Sequence, residues 1–217
     1  MHDLAVSRAT AALARDDIAR RLADPPALHE LLTVDDLEKL RENSRQPLRD
    51  AAVLMLVVDH PHERTVVLTQ RTAHLADHAG QISCPGGRTC PEDLTPERTA
   101  LREAEEEIGI DPSSVEILGR LPVYRTGTGF SVTPIIGWAR PPLAYRADPD
   151  EVADVFEVPL AFLLDARNHR YESAFFRGRI RHYWAMPYGD RYIWGATAAM
   201  LVTFHRLLKS GGGPASR

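Results

Sequence analysis

Arg102-Glu103-Ala104-Glu105-Glu106-Glu107-Ile108-Gly109-Ile110 is the stretch on which the reading of this chain turns. At about 100° per residue on a helical wheel, Glu103, Glu106 and Glu107 share one arc, while Leu101, Ala104 and Ile108 point the other way. The flanks are punctuated as a helix. Thr95-Pro96-Glu97 supplies an N-cap hydroxyl, a proline at the first helical position and an acid in the first turn; Gly109 suits a left-handed C-cap. Three carboxylates at this spacing repel one another, and an acidic helix face taken alone is usually just solvated. Gly86-Gly87 upstream and Arg102 beside Glu103 change that reading. Hard oxygen ligands grouped this way suit Mg²⁺, which keeps several waters and shares its coordination with substrate phosphates. A cation there turns repulsion into attraction, neutralises a diphosphate and acidifies bound water.

Working outward, the remainder of the 217 residues suits one domain with a substantial core. Hydrophobic residues make up 44% and charged residues 26%, a soluble globular composition. The longest apolar runs, such as Ala51 to Val58, are too short to cross a bilayer, and Arg8, Arg15, Asp16 and Asp17 interrupt any secretory h-region. No membrane association and a cytoplasmic location are therefore expected. Cys84 and Cys90 are expected as free thiols. A formal net charge of −4 argues against a general nucleic-acid binder, but an anionic small substrate remains compatible if metal ions or a few arginines compensate locally.

Ala11, Leu13, Ile18 and Leu22 mark a first helix ended by Pro25-Pro26, and Thr33 begins a second one. Ala51 to Val58 and Thr65 to Thr69 read as a hairpin, with His60 and His62 in its solvated turn. Strands are expected at Val115–Leu121, Val132–Trp138, Val152–Val158, Arg179–Tyr183 and Tyr192–Trp194, before a last helix at Ala196–Leu208. This order predicts an α/β fold, a mixed sheet between helices in an α/β/α sandwich. Residues 1–45 are expected as an N-terminal helical extension packed on the domain, 46–209 as the domain and 210–217 as a mobile tail.

Residues 102–110 resemble the second half of the Nudix box, G-x5-E-x7-R-E-U-x-E-E-x-G-U. The first half departs from that form. Counted from Gly87 the acid slot is Asp93, and one residue too many then precedes Arg102. Such a variant is typical of the coenzyme A pyrophosphatase branch. That branch also carries the signature L-L-T-x-R-[SA]-x3-R-x3-G-x3-F-P-G-G. Val67-Leu68-Thr69-Gln70-Arg71-Thr72 runs at the same spacing through Gly80 to Pro85-Gly86-Gly87, with Ala76 where the second arginine belongs and Cys84 in place of phenylalanine. Thr126 to Pro134, Asp150-Glu151-Val152, Phe156 to Leu160 and Trp194-Gly195 also resemble bacterial members.

The resemblance implies a Mg²⁺- or Mn²⁺-dependent pyrophosphohydrolase that cuts coenzyme A to 3′,5′-ADP and 4′-phosphopantetheine. Glu103, Glu106 and Glu107 would ligate the metal together with the Gly87 carbonyl, and Asp93 and Arg102 would pair behind them. Catalysis would involve Glu103, Glu106, Arg102 and Glu151, with Glu106 the first candidate base, Glu151 the second, and Glu157 serving the fold. Thr69, Arg71 and Gly86 would face the substrate, although Arg71 suits a structural carboxylate equally well. His74 and His78, flanking Ala76, replace a guanidinium poorly. A broader hydrolase of ADP-ribose or NADH is the alternative, with Arg125 or Pro141 to Arg146 holding the terminal group. A non-catalytic nucleotide binder is a third reading. The partner is a small nucleotide diphosphate, and the assembly a monomer or a homodimer.

Overall fold

In a computed structural model, residues 13–32, 48–73, 80–176 and 178–210 are described. The helix expected at Thr33, the Ala76 position with its flanking histidines, and the tail beyond Ser210 lie outside them.

The strand β1 (Arg49–Asp59) is the spine of the molecule. It is followed by β2 (Arg64–Arg71), the short β3 (Ile82–Ser83) and β4 (Gly86–Arg88). The chain then forms a long helix (Pro96–Ile108) and the strands β5 (Glu116–Arg120), β6 (Tyr124–Arg125), β7 (Phe130–Ala139) and β8 (Val152–Pro159). Counting two earlier helices, α1 (Arg15–Ala23) and α2 (Leu28–Leu31), the long helix is α3. These eight strands make one mixed sheet, in which β1 runs parallel to β7 and antiparallel to β2 and β4.

Alternation along β1 builds two cores. Ala51, Met55 and Val57 face one side; Ala52, Leu54, Leu56 and Val58 face the other, as a period of two requires. The second set packs on Ala100, Ala104 and Ile108 of α3. The first packs on the C-terminal helix α5 (Ala196–Ser210), whose Leu201, Phe204 and Leu207 are buried, and on Ile18 and Leu22 of α1. The helix–sheet–helix sandwich is therefore present. Truncating Leu54 or Ile108 to alanine removes fully buried atoms and is expected to cost about 2–5 kcal/mol.

Three differences from the sequence expectation follow from patterning. The strand expected at Arg179–Tyr183 runs as β10 (Arg179–Tyr188), paired with an unexpected β9 (Arg170–Phe176). With β11 (Arg191–Trp194) these form a second, three-stranded sheet instead of extending the first. The single turn α4 (Leu160–Leu163) after β8 was also not anticipated, being too short to show a helical period. Among the described residues, no helix is long and apolar enough to cross a membrane.

Candidate metal and diphosphate site

The glycine strand β4 lies between β1 and α3, and sterics explain its composition. Gly86 has φ +150°, and a Cβ there would overlap the Ala52 carbonyl and Val53. A Cβ on Gly87 would fall onto the carboxylate of Glu103. Only glycine lets this backbone touch β1 on one side and the acidic helix on the other.

The acidic face of α3 is not uniformly wet, although a helical wheel makes it look so. Glu107 is 5% exposed, whereas the Glu106 side chain is 60% exposed and that of Glu103 is 17% exposed. The Gly86 N–H donates to Glu107 Oε2 at 3.0 Å. Burial nevertheless pushes the Glu107 carboxyl up to about 7, against the help of that N–H and with Glu103 and Glu151 adding like charge. Burial also raises Glu103, opposed by Arg102. Arg71 sits at the end of β2, with Nη1 3.8 Å from Glu107 Oε1 and 4.0 Å from Glu151 Oε2. Its Nε is buried without a hydrogen-bond partner among the described residues.

Asp93 and Arg102 frame the helix. Arg102 donates from Nε and Nη2 to the two oxygens of Asp93 at 2.9 and 3.0 Å, and Nη2 also reaches the Arg88 carbonyl at 3.0 Å. Asp93 accepts further from the Cys90 N–H and the Thr99 hydroxyl, each at 2.9 Å. The Arg102 guanidinium holds the Asp93 carboxyl well below the usual carboxylate range. Asp93 thus fills the acid slot of the box, and Leu94 is the extra residue. It is absorbed in a turn with φ +55° and ψ −33°, where the Thr95 N–H bonds the Asp93 carbonyl, a strained three-residue turn.

The loop after β7 closes the other end of α3. Arg146 N–H and Asp148 N–H donate to the carbonyls of Ile108 and Glu107 at 2.8 and 2.9 Å, satisfying acceptors that a helix end leaves free. The same loop carries Glu151, pinned because its carbonyl accepts from Thr72 N–H at 3.0 Å.

The other expected positions separate. Thr69 is buried and its hydroxyl bonds the Ser83 carbonyl at 3.3 Å, so it braces β2 against β3. Glu157 accepts from His60 at 2.6 Å, from Tyr145 at 2.8 Å and from Thr65, at the hairpin end of β2. His60 is therefore engaged, not merely a solvated turn residue. The four residues of this contact are spread between positions 60 and 157, which leaves no sequence signal of it. The burial of Glu107 likewise shows only once β4 is placed.

Among the described residues, no three His, Cys, Asp or Glu side chains converge closely enough to hold a metal ion as they stand. The reason is local: Arg102 Nη1 holds the Glu106 carboxylate at 2.9 Å and Nη2 lies 2.9 Å from Glu103. The donor chemistry nonetheless fits a hard dication. Burial raises the proton affinity of Glu107 and of the partly buried Glu103 beside it, and a divalent charge offsets that desolvation cost.

The NUDIX domain family matches residues 47–176. A protein from Shigella flexneri serotype 5b (strain 8401), described as "Uncharacterized Nudix hydrolase NudL", is 42% identical over 177 residues, covering 78% of this chain and 92% of its own length. Its counterpart in Escherichia coli (strain K12) gives the same figures. Among solved structures, the MutT protein from Methanosarcina mazei Go1 is 16% identical with a TM-score of 0.49, over 78% of this chain and 99% of that one.

Proposed function

The chain belongs to the Nudix family and is a hydrolase of that family; from this premise we propose that it hydrolyses the diphosphate of coenzyme A, with Mg²⁺ or Mn²⁺, to 3′,5′-ADP and 4′-phosphopantetheine. Nudix hydrolases use divalent cations and act on small nucleotide diphosphates. The observation that carries the reading is Arg71, from the branch signature, lying beside the buried Glu107 with no partner for its Nε among the described residues.

Glu103, Glu106 and Glu107 would hold the cations, with the Gly87 carbonyl beside them. When bound, such ions neutralise the diphosphate and acidify the attacking water. Arg71, whose side chain is 26% exposed, would orient a phosphate oxygen through its guanidinium. Engagement of Glu106 by Arg102 favours Glu151 as the base, since it shares Arg71 Nη1 with Glu107, at 4.0 and 3.8 Å. Glu151 would take the proton from water as its oxygen bonds to phosphorus. The bridging P–O bond then breaks, and the leaving phosphate carries the displaced charge. Asp93 and Arg102 keep α3 in place throughout.

A screen of coenzyme A, acyl-coenzyme A, ADP-ribose and NADH with each metal, products identified by mass, tests the proposal. Turnover of ADP-ribose or NADH in preference to coenzyme A would replace it with the broader hydrolase, which Ala76 in the signature keeps in view. Tight nucleotide binding without turnover would replace it with a non-catalytic binder.

A further inference from the structure

Two arginines share one aromatic ring next to the glycine strand. The guanidinium carbon of Arg49 lies 4.1 Å, and that of Arg88 5.5 Å, from the ring centre of Phe130. The two charges are therefore no more than about one Debye length apart. Among the described residues, no carboxylate pairs with either. Like charges held together, with no carboxylate among the described residues to offset them, mark a local departure from the rest of the surface in a chain of net charge −4.

The surroundings hold these cations in place. Arg49 N–H bonds the Gly129 carbonyl at 3.0 Å, and its Nη2 reaches the Thr128 carbonyl at 3.4 Å. Arg181 of β10 comes over the same turn, with Nη1 3.0 Å from where a Cβ on Gly127 would lie. Arg88 stands opposite Ala51 on β1, and Phe130 opposite Arg49 on β7. Both arginines therefore leave the sheet on the side of Ala51, away from α3.

Arg88 directly follows Gly87, one residue or about 3.3 Å along the strand, and its carbonyl is held by Arg102. A ligand whose diphosphate rests on Gly86-Gly87 thus has a second anion-binding point just across the strand. We infer that Arg49 and Arg88, stacked on Phe130, bind a phosphate monoester carried by the substrate apart from its diphosphate, as on a ribose phosphorylated at both its 5′ and 3′ oxygens. The inference rests on the proposed function for the placement of the diphosphate. It adds a specificity determinant at positions that the Nudix box and the upstream signature leave unspecified.

The test is calorimetric binding of adenosine 3′,5′-bisphosphate, AMP and inorganic phosphate to the full chain with Mg²⁺, alongside kcat/KM for coenzyme A and its 3′-dephospho form. The wild type is expected to bind the bisphosphate about tenfold more tightly than AMP. That ratio is expected to fall to about one in Arg49→Gln and in Arg88→Gln, and to survive largely in Arg49→Lys. Circular dichroism confirms that each variant is folded. Equal affinity for bisphosphate and AMP in the wild type would overturn the inference. So would an equal weakening of both by the variants, or inorganic phosphate binding as tightly as the bisphosphate. A bisphosphate preference that depends on both arginines, found together with no turnover of coenzyme A, would retain the subsite and reject the proposed substrate.

Discussion

Replacing Asp93 by asparagine tests the frame that holds the acidic helix. The carboxylate is buried and accepts four hydrogen bonds: two from Arg102, one from Cys90 N–H and one from Thr99. Breaking a buried ion pair from one side costs about 3–5 kcal/mol when the remaining charge is stranded. Arg102 is not stranded, because Glu103, Glu106 and the Arg88 carbonyl stay with it. Asparagine also keeps one acceptor oxygen. The expected loss is therefore about 2–3 kcal/mol, close to that of one or two charge-assisted hydrogen bonds. For a chain of this size it lowers Tm by about 5–10 °C. The pH dependence has a definite sign. Arg102 depresses the folded-state pKa of Asp93, so the stabilisation is fully present above the unfolded value of about 3.9 and fades as pH falls through the folded value. Urea unfolding followed by circular dichroism should show a constant gap between wild type and variant from about pH 5 to 8, narrowing below about pH 4. A gap under about 0.5 kcal/mol at neutral pH, or one unchanged at pH 3, would refute the reasoning.

Further outcomes follow from other contacts. Glu106→Gln should lower kcat by about two orders of magnitude or more without unfolding the chain, because its carboxylate is exposed and, among the described residues, bonded only within α3; unchanged Mg²⁺-dependent turnover would reject its role. Gly87→Ala should displace the Glu103 carboxylate and raise the Mg²⁺ concentration needed for half-maximal rate by about tenfold or more, and a normal metal titration would count against the geometry. His205, edge-on to His169 at 4.9 Å, has its pKa lowered by burial to about 4. The unfolded chain therefore takes up its proton first, and stability should fall as pH drops from about 6.5 towards 4. That slope should flatten in His205→Phe, and identical acid titrations of the two proteins would speak against it. Leu94→Gly relieves a positive φ on a side chain that is 90% exposed, and should raise stability by about 0.5–1 kcal/mol in thermal melts; a loss would mean that Leu94 makes contacts in solution.

The parts of the molecule with local causes were readable in the sequence. Helix α3 announces itself through Thr95, Pro96 and Gly109, and β1 through aliphatic residues that must bury on both faces. What escaped depends on contacts between distant segments. Glu103, Glu106 and Glu107 look equivalent on a wheel, yet β4 buries one and leaves another in water. Thr69 sits in a signature stretch, but pairing with β3 turns its hydroxyl to Ser83. Strand β9 was missed because Arg170 to Phe176 interleaves charged and aromatic residues in a ribbon with little core behind it. The box spacing, by contrast, mattered less than its chemistry: one extra residue is absorbed at Leu94, and Asp93 still meets Arg102.

The ladder between β1 and β7 also orders events during synthesis. Its register runs from Arg49↔Phe130 to Val58↔Ala139, whereas β1 pairs with β2 and with β4 at three positions each. The glycine strand and the acidic helix therefore leave the ribosome well before the strand that secures the long edge of β1. A nascent chain halted near residue 120 carries every proposed metal ligand, but the scaffold beneath them lacks its main support. Closing a loop of about 80 residues is the entropic cost of that support. The buried seat of Glu107, and with it the raised proton affinity of that carboxyl, thus rests on a scaffold completed only once residue 139 has emerged.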